Sequence, residues 1–322
     1  LKLFGPSEGS CTLAGIAMMR VICLAGALWQ GMAIPTIKIA PGVEMPMVAF
    51  GSYNASLSTC SVQDGVEQWL RLGGRHLDTA HMYETEADVG AAIRRSGVPR
   101  EEIFVTTKIP GPIGHHSVVQ MILTQTLPRL GLDYIDLVLI HYPCLALSDF
   151  PHKCGSAEKD QRLDTWSGLR ELRTAGKIRA IGVSNYMAEQ VQEVIQAFRE
   201  APAVNQVQWH LAYHNETLRS ALQGAGVTLA AWASLAGPTS SIAEPAPFIS
   251  LSDERLKRVA ARYGVSTAQV ELRWETQKRV VPVTATCTKE HALSDLSIFN
   301  FTISDEDMEY LDGLMPPTAV IV

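Results

Sequence analysis

Two kinds of hydrophobic pattern alternate along most of the chain. Short runs of apolar and β-branched residues, typical of strands buried on both faces, are separated by amphipathic stretches with the spacing of helices. The apolar runs predict eight strands, at residues 48–52, 76–80, 104–109, 135–141, 179–185, 204–208, 227–233 and 280–284. Strands that alternate with helices in this way indicate a parallel α/β sheet.

The amphipathic stretches predict helices at residues 61–72, 86–95, 117–130, 161–175, 188–199, 216–223, 253–263, 267–278, 289–296 and 304–314. Residues 36–46 read as a small hairpin that turns at Pro41-Gly42. Eight strand–helix units in a chain of 322 residues favour one α/β domain, a (β/α)8 TIM barrel with an N-terminal β-hairpin. A doubly wound open sheet is the alternative, but no Gly-x-Gly-x-x-Gly sequence follows a predicted strand.

We assign the barrel to residues 34–322 and expect residues 1–33 to form a leader or a signal segment. Arg20 is followed by a short apolar run and by small residues, an order that resembles a secretory signal peptide. A glycan on the Asn54 sequon would crowd the first strand-to-helix loop, which argues against secretion. We therefore expect a cytoplasmic protein, with the secretory pathway as the alternative.

Charge, hydrophobicity and cysteine spacing indicate which partners are not expected: nucleic acids, membranes and metal ions. The net charge is −6 and no basic stripe is present, so a nucleic acid is not expected as a partner. The apolar run at residues 21–29 is too short to span a bilayer, and we expect a monomer without stable membrane association. The six cysteines show no paired or zinc-binding spacing, which predicts ordinary thiols and no metal site.

Four chemically active side chains follow three successive predicted strands. Asp78 ends the second strand, and Tyr83 follows it by five residues. Lys108 closes the third strand, where an unpaired lysine would be costly, and His141 closes the fourth. Because the loops after the strands of a parallel barrel share one face, these side chains are expected to meet in a single pocket.

The segments that carry these residues resemble the aldo-keto reductase family. The resemblance rests on Gly-Gly-Arg-His-Leu-Asp-Thr-Ala-His-Met-Tyr at residues 73–83 and Phe-Val-Thr-Thr-Lys at 104–108. Two longer segments, at residues 130–143 and 176–186, extend it. The similarity spans residues 37–314, and it implies a barrel that reduces the carbonyl group of small molecules with a nicotinamide cofactor.

Carbonyl reduction requires a hydride donor and a proton donor. Tyr83 is the expected general acid, and the Lys108 ammonium is expected to lower the pKa of the phenol from about 10. Asp78 would hold Lys108 in place, while His141 would orient the carbonyl oxygen. The substrate is expected to contact Tyr53, Tyr83, His141 and Tyr142.

The resemblance also implies the cofactor contacts. Ser184, Asn185 and Gln206 would hold the carboxamide, with Trp232 stacked on the nicotinamide ring in a place where tyrosine is usual. The other expected contacts are Gly51, Ser52, Tyr53, Asp78, Ala233, Ser234, Leu235, Thr286, Thr288, Lys289, His291 and Asp295.

The adenosine end departs from the family pattern. His291 stands where an arginine is expected, and Asp295 stands where an amide is expected. An anionic Asp295 would oppose a 2′-phosphate, although Lys289 remains available. We expect NADPH as the cofactor, with NADH possible. A second reading is a cofactor-binding barrel of weak catalytic power that serves as a regulatory or structural subunit.

Overall fold

The protein structure, a computed structural model, describes residues 34–53, 59–145, 156–235 and 247–314. The expected leader and the Asn54 sequon lie outside the described residues, so both expectations stay predictions. Within the described part of the chain, no helix is long and apolar enough to cross a membrane.

Eight parallel strands close into a barrel. A hairpin of β1 (Thr36–Ala40) and β2 (Val43–Pro46) comes first. The barrel strands are β3 (Ala49–Gly51), β4 (His76–Asp78), β5 (Phe104–Ile109), β6 (Ile135–Ile140), β7 (Ile178–Ser184), β8 (Val204–Gln208), β9 (Thr228–Trp232) and β10 (Val281–Thr284). They pair in chain order, and β10 closes the barrel on β3. The predicted (β/α)8 barrel with an N-terminal hairpin is confirmed, and the strand ends differ from the prediction by at most two residues.

Helices follow each of the barrel strands. They are α1 (Val62–Arg71), α2 (Glu86–Ser96), α3 (His115–Met121), α4 (Leu127–Leu130), α5 (Ser156–Thr174), α6 (Ala188–Phe198), α7 (Glu216–Gly224), α8 (Glu254–Tyr263), α9 (Thr267–Gln277), α10 (Lys289–Leu296) and α11 (Asp305–Asp312). Several begin where a side-chain oxygen accepts a hydrogen bond from the first turn, as Ser61 does for α1 and Thr288 for α10.

The single helix predicted at residues 117–130 is interrupted in the structure. Helices α3 and α4 are joined by a π-helical segment, Ile122–Thr126. Pro128 explains the interruption, because proline has no N–H and its ring would clash with the carbonyl of Thr124 in a regular α-helix. The wider π-helical turn relieves that clash without ending the helix.

The hairpin closes the N-terminal end of the barrel. Its buried residues, Ile37, Ile39, Val43 and Met45, pack against apolar side chains from the strands above them. These partners include Phe104 and Val204, the first residues of β5 and β8. The hairpin therefore excludes water from one end, and the loops that follow the strands form the accessible end.

The expectation of ordinary thiols is wrong for three cysteines of the described residues. Cys60, just before α1, forms a disulfide with Cys287, in the loop between β10 and α10, and their Cα atoms are 5.5 Å apart. Cys144 is disulfide-bonded as well. The sequence could not reveal the Cys60–Cys287 pair by spacing, because 227 positions separate the two cysteines and only closure of the barrel joins them.

We expect Gly90→Ala to destabilise the barrel. A Cβ atom at Gly90 in α2 would lie 2.1 Å from the carbonyl oxygen of Leu130, which is backbone and cannot rotate away. The overpacking should lower the free energy of unfolding by about 1–3 kcal/mol or more. Urea denaturation provides the measurement.

Gly224→Ala is the matched control. A Cβ atom at Gly224, the last residue of α7, meets nothing within 4 Å, so alanine should leave stability unchanged or raise it slightly. Equal unfolding midpoints for the two variants would contradict the close packing of α2 on α4.

Candidate active site

Lys108 lies at the centre of the residues gathered at the accessible end of the barrel. Its ammonium forms an ion pair with the carboxylate of Asp78 and donates to the backbone oxygen of Thr79 at 3.1 Å. It also donates to the hydroxyl of Tyr83 at 3.4 Å, and the ammonium is 5.0 Å from the centre of the Tyr83 ring. The Lys108 side chain is only 1% exposed, so these partners replace water around the charge.

Strand register brings the three side chains together. Asp78 in β4 is paired with Thr106 in β5, and Lys108 lies two residues further on, so that it projects from the same face as Thr106. A short 3-10 turn, His81–Tyr83, then carries Tyr83 back over the strand ends. Glu84 ends this turn in the left-handed region, with a φ of 59°.

His141 follows β6 and faces Tyr83. Its ring lies edge-on to the ring of Tyr83, with centroids 5.6 Å apart, and stacks on Tyr142 at 4.5 Å. Burial, aided by the positive charge of Lys108, holds the pKa of His141 well below its usual value. The imidazole is therefore neutral at pH 7, and its buried Nδ1 atom has no hydrogen-bond partner among the described residues.

The pKa of Tyr83 differs in direction from the sequence expectation. Burial raises the pKa of the phenol above its ordinary value, and the nearby Lys108 offsets only part of this rise. For Lys108, burial opposes the charge, but Asp78 and Tyr83 outweigh it and raise the pKa of the ammonium. Lysine thus acts in the expected direction, but desolvation of the phenolate is the larger effect.

Gln206 has a contact that the sequence did not indicate. Its side-chain amide donates to the second carboxylate oxygen of Asp78 at 2.7 Å. Asp78 therefore holds Lys108 with one oxygen while the other is fixed from β8. Only the register of the closed barrel brings these two residues together, since 128 positions separate them.

Ser184 and Asn185 lie beside this group, where β7 ends. The Ser184 hydroxyl donates to the backbone oxygen of Gln206, and the Asn185 amide donates to the backbone oxygen of His141. The indole N–H of Trp232 donates to the side-chain oxygen of Asn185 at 2.9 Å. Asn185 has a φ of 62°, a conformation that asparagine tolerates better than most residues. The residues expected to hold the nicotinamide are thus adjacent, and their roles stay predictions.

The first loop supplies an aromatic wall. Tyr53 is 46% exposed, and its ring lies 5.0 Å from that of Tyr83. Ser52 is buried, and its hydroxyl forms a hydrogen bond with that of Thr85. Gly51 has no room for a side chain, because a Cβ atom there would lie 2.9 Å from Val283.

The segment after β9 adds Ala233, Ser234 and Leu235. Ala233 has a φ of 58°, which is unusual for alanine, and Ser234 is buried with its hydroxyl donating to the backbone of Ala231. Leu235 is half-buried. Their proposed cofactor contacts stay predictions.

The residues expected at the adenosine end lie around the start of α10. Thr288 caps this helix by accepting from the backbone N–H of His291, and both Lys289 and His291 are exposed. Thr286 is buried and bonds to Thr288. Asp295 is buried and accepts from the Thr284 hydroxyl at 3.0 Å, and burial raises its pKa to about 7. Asp295 is therefore partly protonated at neutral pH, and not fully anionic as the sequence analysis expects.

Comparison with known proteins identifies the family. A model of the aldo/keto reductase family matches residues 47–316. The chain belongs to the aldo/keto reductase family. It is 35% identical over 279 residues to a glyoxal reductase of Bacillus subtilis, an alignment covering 87% of this chain and 92% of that protein. An aldo-keto reductase of Mycobacterium avium is 37% identical over 290 residues, with 90% and 93% covered.

Solved structures agree with this assignment. A Bombyx mori aldo-keto reductase in complex with NADP has a TM-score of 0.79 and 29% identity, with 88% of this chain and 93% of that chain covered. An aldo/keto reductase from Brucella melitensis has a TM-score of 0.74 and 29% identity, with 87% and 98% covered.

We expect Lys108→Met to destabilise the protein strongly. The substitution leaves the buried carboxylate of Asp78 without its cation, which typically lowers the free energy of unfolding by about 3–5 kcal/mol. Urea denaturation at pH 7 measures the change.

The double variant Asp78→Asn/Lys108→Met is the control. Because it removes both charges, it should recover most of the lost stability. If the double variant lost as much stability as the single variants Lys108→Met and Asp78→Asn lose together, the two residues would not interact.

Proposed function

We propose that the protein is an NADPH-dependent oxidoreductase that reduces aldehydes and ketones to alcohols, of the aldehyde reductase type. The observation that carries the proposal is the buried Lys108 ammonium in contact with both Asp78 and the Tyr83 hydroxyl. A phenol held against a fixed cation is a proton donor whose conjugate base is already stabilised. The family assignment and a relative named glyoxal reductase support a carbonyl substrate.

The residues present fit a dinucleotide. The buried Nδ1 atom of His141 has no hydrogen-bond partner within the described part of the chain, as is typical of a site that a ligand or water completes. Ser184, Asn185 and Trp232 would hold the nicotinamide, since they combine polar atoms with a flat aromatic surface. The capped N-terminus of α10, with Thr288 and the exposed Lys289, suits a phosphate group. The Bombyx mori relative was solved with NADP, which agrees with NADPH here.

In the proposed reaction, the cofactor supplies the hydride and the protein supplies the proton. Tyr83 donates its hydroxyl proton to the oxygen of the carbonyl as negative charge develops there, and Lys108 stabilises the phenolate that remains. His141, neutral at pH 7, positions the carbonyl oxygen by a hydrogen bond without competing as the acid. Tyr53 and Tyr142 form aromatic walls for a substrate of modest size.

Tyr83→Phe should abolish most reduction while leaving NADPH binding almost unchanged. The variant keeps the aromatic ring but loses the proton donor, so we expect kcat to fall by roughly 100-fold or more. Consumption of NADPH with 4-nitrobenzaldehyde measures the rate, and fluorescence titration measures cofactor affinity.

Tyr142→Phe is the matched control, because it removes a hydroxyl from a neighbouring ring that is not the proposed acid. A Tyr83→Phe variant as fast as wild type would refute the role of Tyr83. If wild type binds NADPH but consumes none with any reactive aldehyde, the alternative of a regulatory or structural subunit is favoured.

The rate of reduction should be independent of pH near neutrality and should fall only at strongly alkaline pH. Tyr83 must be protonated to donate, and its pKa lies above the ordinary value of about 10, so the acid form is lost only above that pH. His141 should produce no step near its ordinary pKa of about 6.5, because it is already neutral there. Initial rates of kcat/KM between about pH 6 and 11 test both statements, and a midpoint near 7 would contradict the assignment of the acid.

A further inference from the structure

The Cys60–Cys287 disulfide joins two loops at the accessible end of the barrel. Cys60 lies immediately before α1, and Cys287 lies between Thr286 and Thr288, two of the residues proposed to contact the adenosine side of NADPH. The bond therefore ties the segment at residues 285–288, here called the adenosine loop, to the beginning of α1.

We propose that this disulfide is a positioning device for the cofactor, so that the oxidised protein binds NADPH more tightly than the dithiol form. The inference rests on the proposed function, because it takes the adenosine loop as part of the cofactor site. Neither cysteine touches the reacting atoms, and their effect acts through the shape of the loop alone.

Other contacts of the adenosine loop are long or local. The side-chain amide of Gln68 in α1 donates to the backbone oxygen of Cys287 at 3.4 Å. The hydroxyl of Thr286 accepts from the backbone N–H of Thr288 at 3.4 Å, a bond inside the loop itself. The disulfide is thus the strongest link that the described residues show between this loop and α1.

The partner segment is a firm anchor. The hydroxyl of Ser61, next to Cys60, caps α1, and Val62, Val66 and Trp69 of that helix are buried in the main core. A Cβ atom at Gly65 would lie 3.5 Å from the sulfur of Cys60, so the disulfide is seated directly on the first turn of α1. A loop cross-linked to such a helix loses less conformational freedom when a ligand binds, which strengthens binding.

Both cysteines are only partly buried, so that a reductant can reach the bond. Opening it transfers two electrons and two protons from a dithiol reductant, which is oxidised to its own disulfide, and leaves thiols on Cys60 and Cys287. An oxidising compartment would keep the bond closed, whereas a reducing one would open it. The redox state of the surroundings would then set the affinity for the cofactor.

The test compares air-oxidised wild type with Cys60→Ser/Cys287→Ser. Peptide mass mapping after alkylation first locates the free thiols, and quenching of tryptophan fluorescence then gives the Kd for NADPH. We expect the double variant to bind NADPH roughly three- to tenfold more weakly. The KM for NADPH should rise by the same factor, while kcat at saturating cofactor should stay unchanged. A purely structural role would instead lower the unfolding temperature without changing this affinity.

Wild type treated with a phosphine reductant is the second measurement, and it also covers a double variant that does not fold. It should match the double variant, and reoxidation should restore tight binding. Cys144→Ser measures the contribution of the disulfide that Cys144 forms, which the reductant also opens.

The proposal is overturned if air-oxidised wild type carries free thiols at Cys60 and Cys287. It is equally overturned if the Kd for NADPH is the same with and without the bond. Failure of the proposed function is a different result, namely NADPH binding without turnover of any aldehyde.

Discussion

The constraint on which the site depends is the buried charge of Lys108. An ammonium removed from water costs several kcal/mol unless it is paired and hydrogen-bonded, and Lys108 finds both conditions only where strands β4 and β5 end together. Asp78 supplies the opposite charge, and Gln206 on the far side of the barrel holds the second oxygen of that carboxylate. The ion pair thus links residues that are distant in sequence and requires the barrel to be closed in the correct register.

The same burial shapes the chemistry of Tyr83. Desolvation makes the phenolate costly, so the phenol stays protonated over the neutral range, and Lys108 lowers the cost of the charge that forms when the proton leaves. A fully exposed tyrosine would have neither property, because water would screen the lysine. His141 is neutral beside this pair, and this neutrality favours the Lys108 charge, since a second cation would repel the ammonium.

Much of this arrangement could be predicted from the sequence. The apolar runs gave the eight strands, and the strand-end positions of Asp78, Lys108 and His141 indicated one common face, because local patterns determine where a strand ends. Three features could not be predicted in this way. The contact of Gln206 with Asp78 and the Cys60–Cys287 disulfide depend on barrel closure, and the raised pKa of Tyr83 depends on how deeply the ring is buried. Each depends on which residues lie close together in the folded barrel, and the spacing of residues along the sequence does not show this.

The two ends of the proposed cofactor site are held by different means. At the nicotinamide end, strand register and buried hydrogen bonds fix Asp78, Lys108 and Gln206, so any change there disturbs the core of the barrel. At the adenosine end, the loop after β10 is only partly buried and has few such bonds, and a covalent link to α1 takes their place. This disulfide can be opened without disturbing the ion pair, because neither Cys60 nor Cys287 lies in a barrel strand. Under the proposal above, the affinity for NADPH would therefore vary with the redox state of the surroundings, while the proton transfer proposed for Tyr83 would not.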